Sequence, residues 1–159
     1  MLGIEIVCIG KLNQKYFKEG CDEYLKRLGG FCRVRVSELP EVRLLGAGEA
    51  AERRVVEEES ARILAHLDKR RSSLVALCVE GREMTSPELA AYLADTAQRS
   101  PEIAFVIGGS LGLSDALKQR ADLRMSMSRL TLPHQLARLV LLEQLYRACT
   151  INANIKYHK

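Results

Sequence analysis

Short apolar, β-favouring runs alternate with segments of helical period along nearly the whole chain, and this alternation limits the fold more than any other feature. Ile4 to Ile9 is an apolar run closed by Gly10. From Asn13 the period changes. Tyr16, Phe17, Cys21, Tyr24, Leu25 and Leu28 recur at helical spacing, and Gly29-Gly30 predicts the stop. Arg33 to Leu39 alternates as a strand does, and Glu41 to Gly48 has no period and reads as a loop. Glu49 to Leu67 is helical, Leu74 to Val79 is a third strand, and Ser86-Pro87-Glu88 marks a helix start with Ser86 as its cap. Ile103 to Ile107, Ser114 to Arg120 and Leu123 to Met127 then read as strand, short helix and strand, before a last helix from near Pro133 to about Thr150. This order predicts one α/β domain over residues 1–159, with a mostly parallel sheet and helices on both faces.

The bulk properties exclude several classes. The 159 residues, 47% hydrophobic and 28% charged, suit a single globular core rather than a disordered chain. A formal net charge of +4 is compatible with a polyanionic partner but too small to demonstrate one. Five cysteines stand far apart with no C-x-x-C pair, and no apolar stretch approaches the roughly 20 residues of a membrane span. The expectation is a soluble protein of the reducing cytoplasm. His66, His134 and His158 are scattered, with no cysteine at ligand spacing, so no metal site is expected, and His66 reads as a surface helix residue.

The last helix departs from the usual pattern. Between His134 and Cys149, Leu136, Leu139, Val140, Leu141, Leu142, Leu145, Tyr146 and Ala148 surround the axis, while Arg138, Glu143, Gln144 and Arg147 are scattered. A helix apolar on most sides is covered on most sides. Either a second subunit supplies the cover, or the helix lies centrally within one chain; the terminal position favours the former.

Two loops are candidates for chemistry. Gly108-Gly109-Ser110-Leu111-Gly112 follows a buried strand, where α/β folds place ligand loops, although a plain tight turn accounts for it equally well. Met127-Ser128-Arg129-Leu130-Thr131-Leu132-Pro133-His134 joins the last strand to the last helix, and its mixture of apolar side chains and hydroxyls can hold a flat ring while backbone groups read the ring's edge. There is no G-x-S-x-G and no Ser–His–Asp set. With no Trp and 5% aromatic residues, stacking on single-stranded bases cannot dominate any RNA recognition, which would rest on phosphate contacts and shape.

Taken in order, Phe105-Val106-Ile107-Gly108-Gly109-Ser110, Leu130-Thr131-Leu132-Pro133-His134-Gln135, Glu143-Gln144-Leu145-Tyr146-Arg147-Ala148 and Tyr157-His158-Lys159 resemble the SPOUT superfamily of methyltransferases. Within it, they resemble the family that methylates N3 of a pseudouridine in 23S ribosomal RNA of the large subunit. The resemblance implies an α/β fold with a C-terminal trefoil knot, a homodimer, and S-adenosyl-L-methionine as cofactor. By analogy the cofactor pocket is formed by Leu77, Gly108, Gly109, Met127, Ser128, Arg129, Leu130, Thr131 and Leu132. Cys78 stands where the family leads one to expect an acidic or other polar residue.

The resemblance also points to Arg147, Tyr157 and His158 as catalytic. A pseudouridine imide must lose its N3 proton before it accepts a methyl group, so a base or an anion-stabilising cation is wanted. For Arg147 an ion pair with Glu143, one turn away, is an equally good explanation. The tail from Asn152 to Lys159 is too poor in apolar groups to form core, and is either a frayed end or a cover over an active site. Two alternatives stand beside this reading: a SPOUT methyltransferase acting on tRNA, and a non-catalytic ribosome-associated RNA-binding module.

Overall fold

The computed structural model describes residues 1–159 and contains five strands and five helices in strict alternation. They are β1 (Gly3–Ile9), α1 (Lys15–Leu28), β2 (Arg33–Leu39), α2 (Glu49–Leu67), β3 (Ser73–Glu83), α3 (Ser86–Ala97), β4 (Glu102–Ile107), α4 (Asp115–Arg120), β5 (Leu123–Ser126) and α5 (His134–Asn152). The strands form one sheet of order β2-β1-β4-β3-β5, every pair parallel. The crossovers β1 to β2 and β3 to β4 travel one way across this order, and β2 to β3 and β4 to β5 travel the other. Since such crossovers are right-handed, reversing direction reverses the face. Accordingly α1 and α3 cover one face and α2 and α4 the other.

The period of two along β1 feeds both cores. Ile4, Ile6 and Cys8 join the larger cluster with Leu28 of α1, Leu93 of α3 and Leu141 of α5. Val7 and Ile9 join the smaller cluster with Ile63 of α2 and Leu117 of α4. Nothing on β1 is left exposed.

Three local expectations change. The cap of α3 is Thr85, not Ser86: its hydroxyl accepts from the Glu88 N–H at 3.3 Å, and the Glu88 carboxylate accepts from the Thr85 N–H at 2.7 Å. The reciprocal pair satisfies two end groups where Ser86 could satisfy one. Strand β3 extends to Glu83, past Gly81, because its far end pairs again with β5. Helix α5 lies on the sheet in contact with both α1 and α3, so the chain itself supplies most of the cover that its apolar circumference requires. Leu142 and Leu145 are fully buried within one chain. Among its half-covered residues are Leu136, Val140, Glu143 and Arg147, which are spaced by three and four residues and form one stripe.

One carboxylate is carried into the sheet. Glu5 is fully buried and accepts hydrogen bonds from Arg35 (2.7 Å) and Ser37 (2.6 Å), with His66 Nε2 at 2.7 Å. Burial alone would raise its pKa, but the bonds from Arg35, His66 and Ser37 outweigh it and hold the carboxyl at about 2. His66 is therefore not a free surface residue; its ring closes this network from α2. Because the folded-state pKa lies below the ordinary value of 4.5, the network stabilises the fold at neutral pH, and the contribution is lost as pH falls through that interval towards 2. Glu5→Gln is expected to cost about 3 kcal/mol in urea denaturation at neutral pH. The gap between variant and native protein should narrow steadily on acidification; a gap independent of pH would contradict the assignment.

Candidate functional site

Three loops meet at the carboxyl ends of β3, β4 and β5 and enclose a cavity of about 550 Å3. The first comes from an interruption in β3. Leu77 and Arg82 both pair with Met125 of β5, so residues 78–81 leave the ladder and return. The return depends on Gly81, where a Cβ would lie 2.7 Å from the backbone carbon of Met125 and 2.8 Å from that of Arg124. Only a residue without a side chain allows that approach.

The second loop follows β4 and closes on itself. The Gly112 N–H donates to the Gly109 carbonyl at 3.0 Å, and a Cβ on Gly108 would lie 2.8 Å from the Gly112 carbonyl carbon. Gly109 has a different neighbour: its Cβ would point at the Glu59 carboxylate, 2.8 Å away, rather than at a ligand. Glu59 is buried, accepts the Val42 N–H at 3.0 Å, and is pushed above the ordinary carboxylate pKa by burial. The Ser114 N–H donates to Ser60 at 2.8 Å, which fixes the far end of the loop to α2. The tight turn thus also lines the cavity.

The third loop joins β5 to α5. Ser126 Oγ donates to the Ser128 carbonyl at 2.9 Å, and Ser128 Oγ accepts from the Leu130 N–H at 3.0 Å. These bonds hold Met127, Ser128, Leu130, Thr131 and Leu132 along the cavity wall opposite Leu77 and Gly108.

Leu77, Gly108, Gly109, Met127, Ser128, Leu130, Thr131 and Leu132 all line the one cavity. Arg129 does not: its side chain is 91% exposed and pairs with Glu83 at 3.5 Å. His134, the last residue of the candidate loop, also lines the cavity, as do Glu80, Lys118 and Ala137, which were not singled out by pattern. Glu80 and Lys118 are 38 residues apart and carry no motif, so only the closing of β3 over α4 reveals them as neighbours.

Arg147, Tyr157 and His158 gather elsewhere. Glu143 Oε1 accepts from Arg147 Nη2 at 2.5 Å and from the Tyr157 hydroxyl at 3.1 Å. The Tyr157 ring stands edge-on to Tyr146, centroids 4.8 Å apart, with the Arg147 guanidinium 4.7 Å over it. The tail therefore folds onto the end of α5 rather than fraying, and the ion pair of Arg147 with Glu143 is present. Burial, aided by hydrogen bonds with Tyr24 and Glu143, pushes the Tyr157 phenol up to about 12, so it is protonated at neutral pH and can donate. His158 is exposed. Ten residues of helix separate Ala137, at the cavity, from Arg147, about 15 Å along the axis. Within one chain the cavity and this cluster do not meet.

A parallel sheet whose loops cradle a small-molecule cavity at the strand ends, closed by a final helix, defines an α/β ligand-binding enzyme fold. Residues 2–158 match the family described as "Predicted SPOUT methyltransferase", and the chain belongs to that family. Along its whole length it is similar to proteins named ribosomal RNA large subunit methyltransferase H. That of Lactobacillus gasseri is 45% identical over 160 residues, covering 99% of this chain and 100% of the relative. That of Streptococcus sanguinis is 44% identical over 158 residues, covering 98% and 99%. Among solved structures, a probable methylase family protein from Haemophilus influenzae Rd KW20 has the same fold, with a TM-score of 0.56 at 15% identity over 98% of this chain and 70% of that one.

Gly108→Ala has to move the Gly112 backbone and is expected to destabilise the fold by about 2 kcal/mol. Gly109→Ala meets side chains rather than backbone, the Glu59 carboxylate at 2.8 Å and Ile9 Cγ2 at 3.3 Å, and should cost less. Urea denaturation of both variants checks the order; the reverse order would mean that the loop is not closed as described.

Proposed function

We propose that this chain methylates N3 of a pseudouridine in 23S rRNA of the large ribosomal subunit, acting as a cytoplasmic homodimer with S-adenosyl-L-methionine as donor. The observation that carries the reading is the full-length similarity to the methyltransferase H proteins, in a chain whose motif residues converge on one cavity. The cavity fits the donor: Leu77, Ile107, Met125 and Leu132 give apolar walls for a flat base, and Ser126, Ser128 and Thr131 give hydroxyls for a ribose. Its volume lies within the ~300–1,000 Å3 of small-molecule sites. When bound, S-adenosyl-L-methionine supplies an already electrophilic methyl group, so the protein's task is alignment and charge.

That charge is on Arg147. Its guanidinium can stabilise the imide anion left when N3 loses its proton, the protonated Tyr157 can donate to a carbonyl of the base, and exposed His158 is free to accept the proton. These groups serve a cavity about 15 Å from their own only if they belong to another subunit. Pairing the half-covered stripe of α5 with its symmetry copy, antiparallel about a two-fold axis, carries the partner's tail towards this cavity. No helix is long and apolar enough to cross a membrane. The knot implied by the resemblance belongs to the same proposal: the segment after β5 runs against Glu83 at the end of β3 and Met84 just beyond it, where threading would place it.

The decisive measurement is mass-spectrometric mapping of 23S rRNA from cells with and without the gene, in which one methylated pseudouridine should disappear. Loss of a tRNA methyl group instead would transfer the proposal to the tRNA reading, and no loss at all would defeat it. For the dimer, Arg147→Ala and Leu132→Glu should each be inactive alone. Co-expressed one to one, they should recover about a quarter of native turnover, since half the dimers would carry one intact composite site. No recovery, with mixed dimers confirmed by native mass spectrometry, would place Arg147 in its own subunit's site.

A further inference from the structure

Apart from the ring of His134, the cavity is lined by apolar side chains, hydroxyls and backbone, with one exception. Glu80 and Lys118 face each other across its rim, Lys118 Nζ donating to Glu80 Oε1 at 2.5 Å. The two arrive by separate routes. Glu80 sits at the crest of the 78–81 excursion from β3, and Lys118 on α4 just behind the glycine loop. Lys118 is largely covered, its side chain 19% exposed, while that of Glu80 is 59% exposed. The lysine's hydrogen bond holds the Glu80 carboxyl below its ordinary pKa, so the carboxylate is ionised at neutral pH.

A pair of this kind contributes little to stability, because one partner remains in water and both long side chains are immobilised. Its place on the wall of a ligand cavity calls for another account. We infer that the Glu80–Lys118 pair is the receptor for the α-amino-acid end of the cofactor, Lys118 taking the carboxylate and Glu80 the ammonium. A zwitterion presents the same two charges in the opposite order, so the protein pair can exchange its internal bond for two external ones without leaving any charge unpaired. The apolar walls and glycine backbone deeper in the cavity are left for the adenosine. This assignment rests on the cavity being the S-adenosyl-L-methionine site.

The test compares two neutral-sulfur ligands that differ only in the amino-acid end, S-adenosylhomocysteine and 5′-methylthioadenosine, by calorimetry on the full chain. The native protein is expected to prefer S-adenosylhomocysteine by about thirtyfold, as charge-assisted bonds of this kind allow. Lys118→Met and Glu80→Gln should each reduce the preference to a few-fold while leaving 5′-methylthioadenosine affinity unchanged. Unaltered 5′-methylthioadenosine binding also certifies that the variant cavity is folded. A preference that survives in both variants, or is missing from the native protein, overturns the assignment. If neither ligand binds the native protein, the cofactor reading itself fails, and the subsite with it.

Discussion

The close approach of β3 to β5 at Gly81 is the contact on which the site depends. Parallel strands at a sheet edge ordinarily stay in register to their ends. Here β3 leaves the ladder for four residues and rejoins it at Met125, the residue of β5 that it left, and the rejoining brings backbone to within a distance that no Cβ permits. The excursion makes one wall of the cavity. The glycine loop after β4 makes the second by a similar device, with Gly108 pressed on Gly112. Both walls are therefore built from backbone geometry, and their side chains are free to be chosen for the ligand.

Against this compact head, α5 works as a strut. It begins as cavity lining at His134 and Ala137. Close behind them, buried Arg138 ties the helix to β1 and β2 through the Gly10 carbonyl (3.2 Å) and Glu38 (2.7 Å). It ends at the Glu143–Arg147–Tyr157 cluster. The cavity and the tail cluster are thus placed at the two ends of one helix, and a single copy of the chain keeps them apart.

Much of this was legible in the sequence, for identifiable reasons. The element order followed from the change of period at Asn13 and its repeats, and the loops that line the cavity from glycines and hydroxyls placed just after buried strands. What could not be read was set by contacts distant in sequence. Ser86 and Thr85 are equally good caps until the reach of Glu88 decides between them. His66 looks like any helical surface residue until β1 brings Glu5 beneath it. Gly109 reads as room for a ligand, whereas the space belongs to Glu59. Arg129 sits inside the cofactor motif yet turns outward to Glu83. Glu80 and Lys118 have no local signature, since their meeting is a product of the β3 excursion. The circumference of α5 correctly announced burial but could not say which neighbours provide it.

The position of α5 between α1 and α3 also has a consequence for how the protein is made. The larger core needs Ala137, Leu141, Leu142, Leu145 and Ala148, all from this final helix. Until they emerge from the ribosome, α1 and α3 flank an open apolar slot over β1 and β4, and the nascent chain has no local substitute to fill it. Closure must await the synthesis of α5, and a chain stalled before residue 137 presents a sticky, half-built sheet to the cell's chaperones.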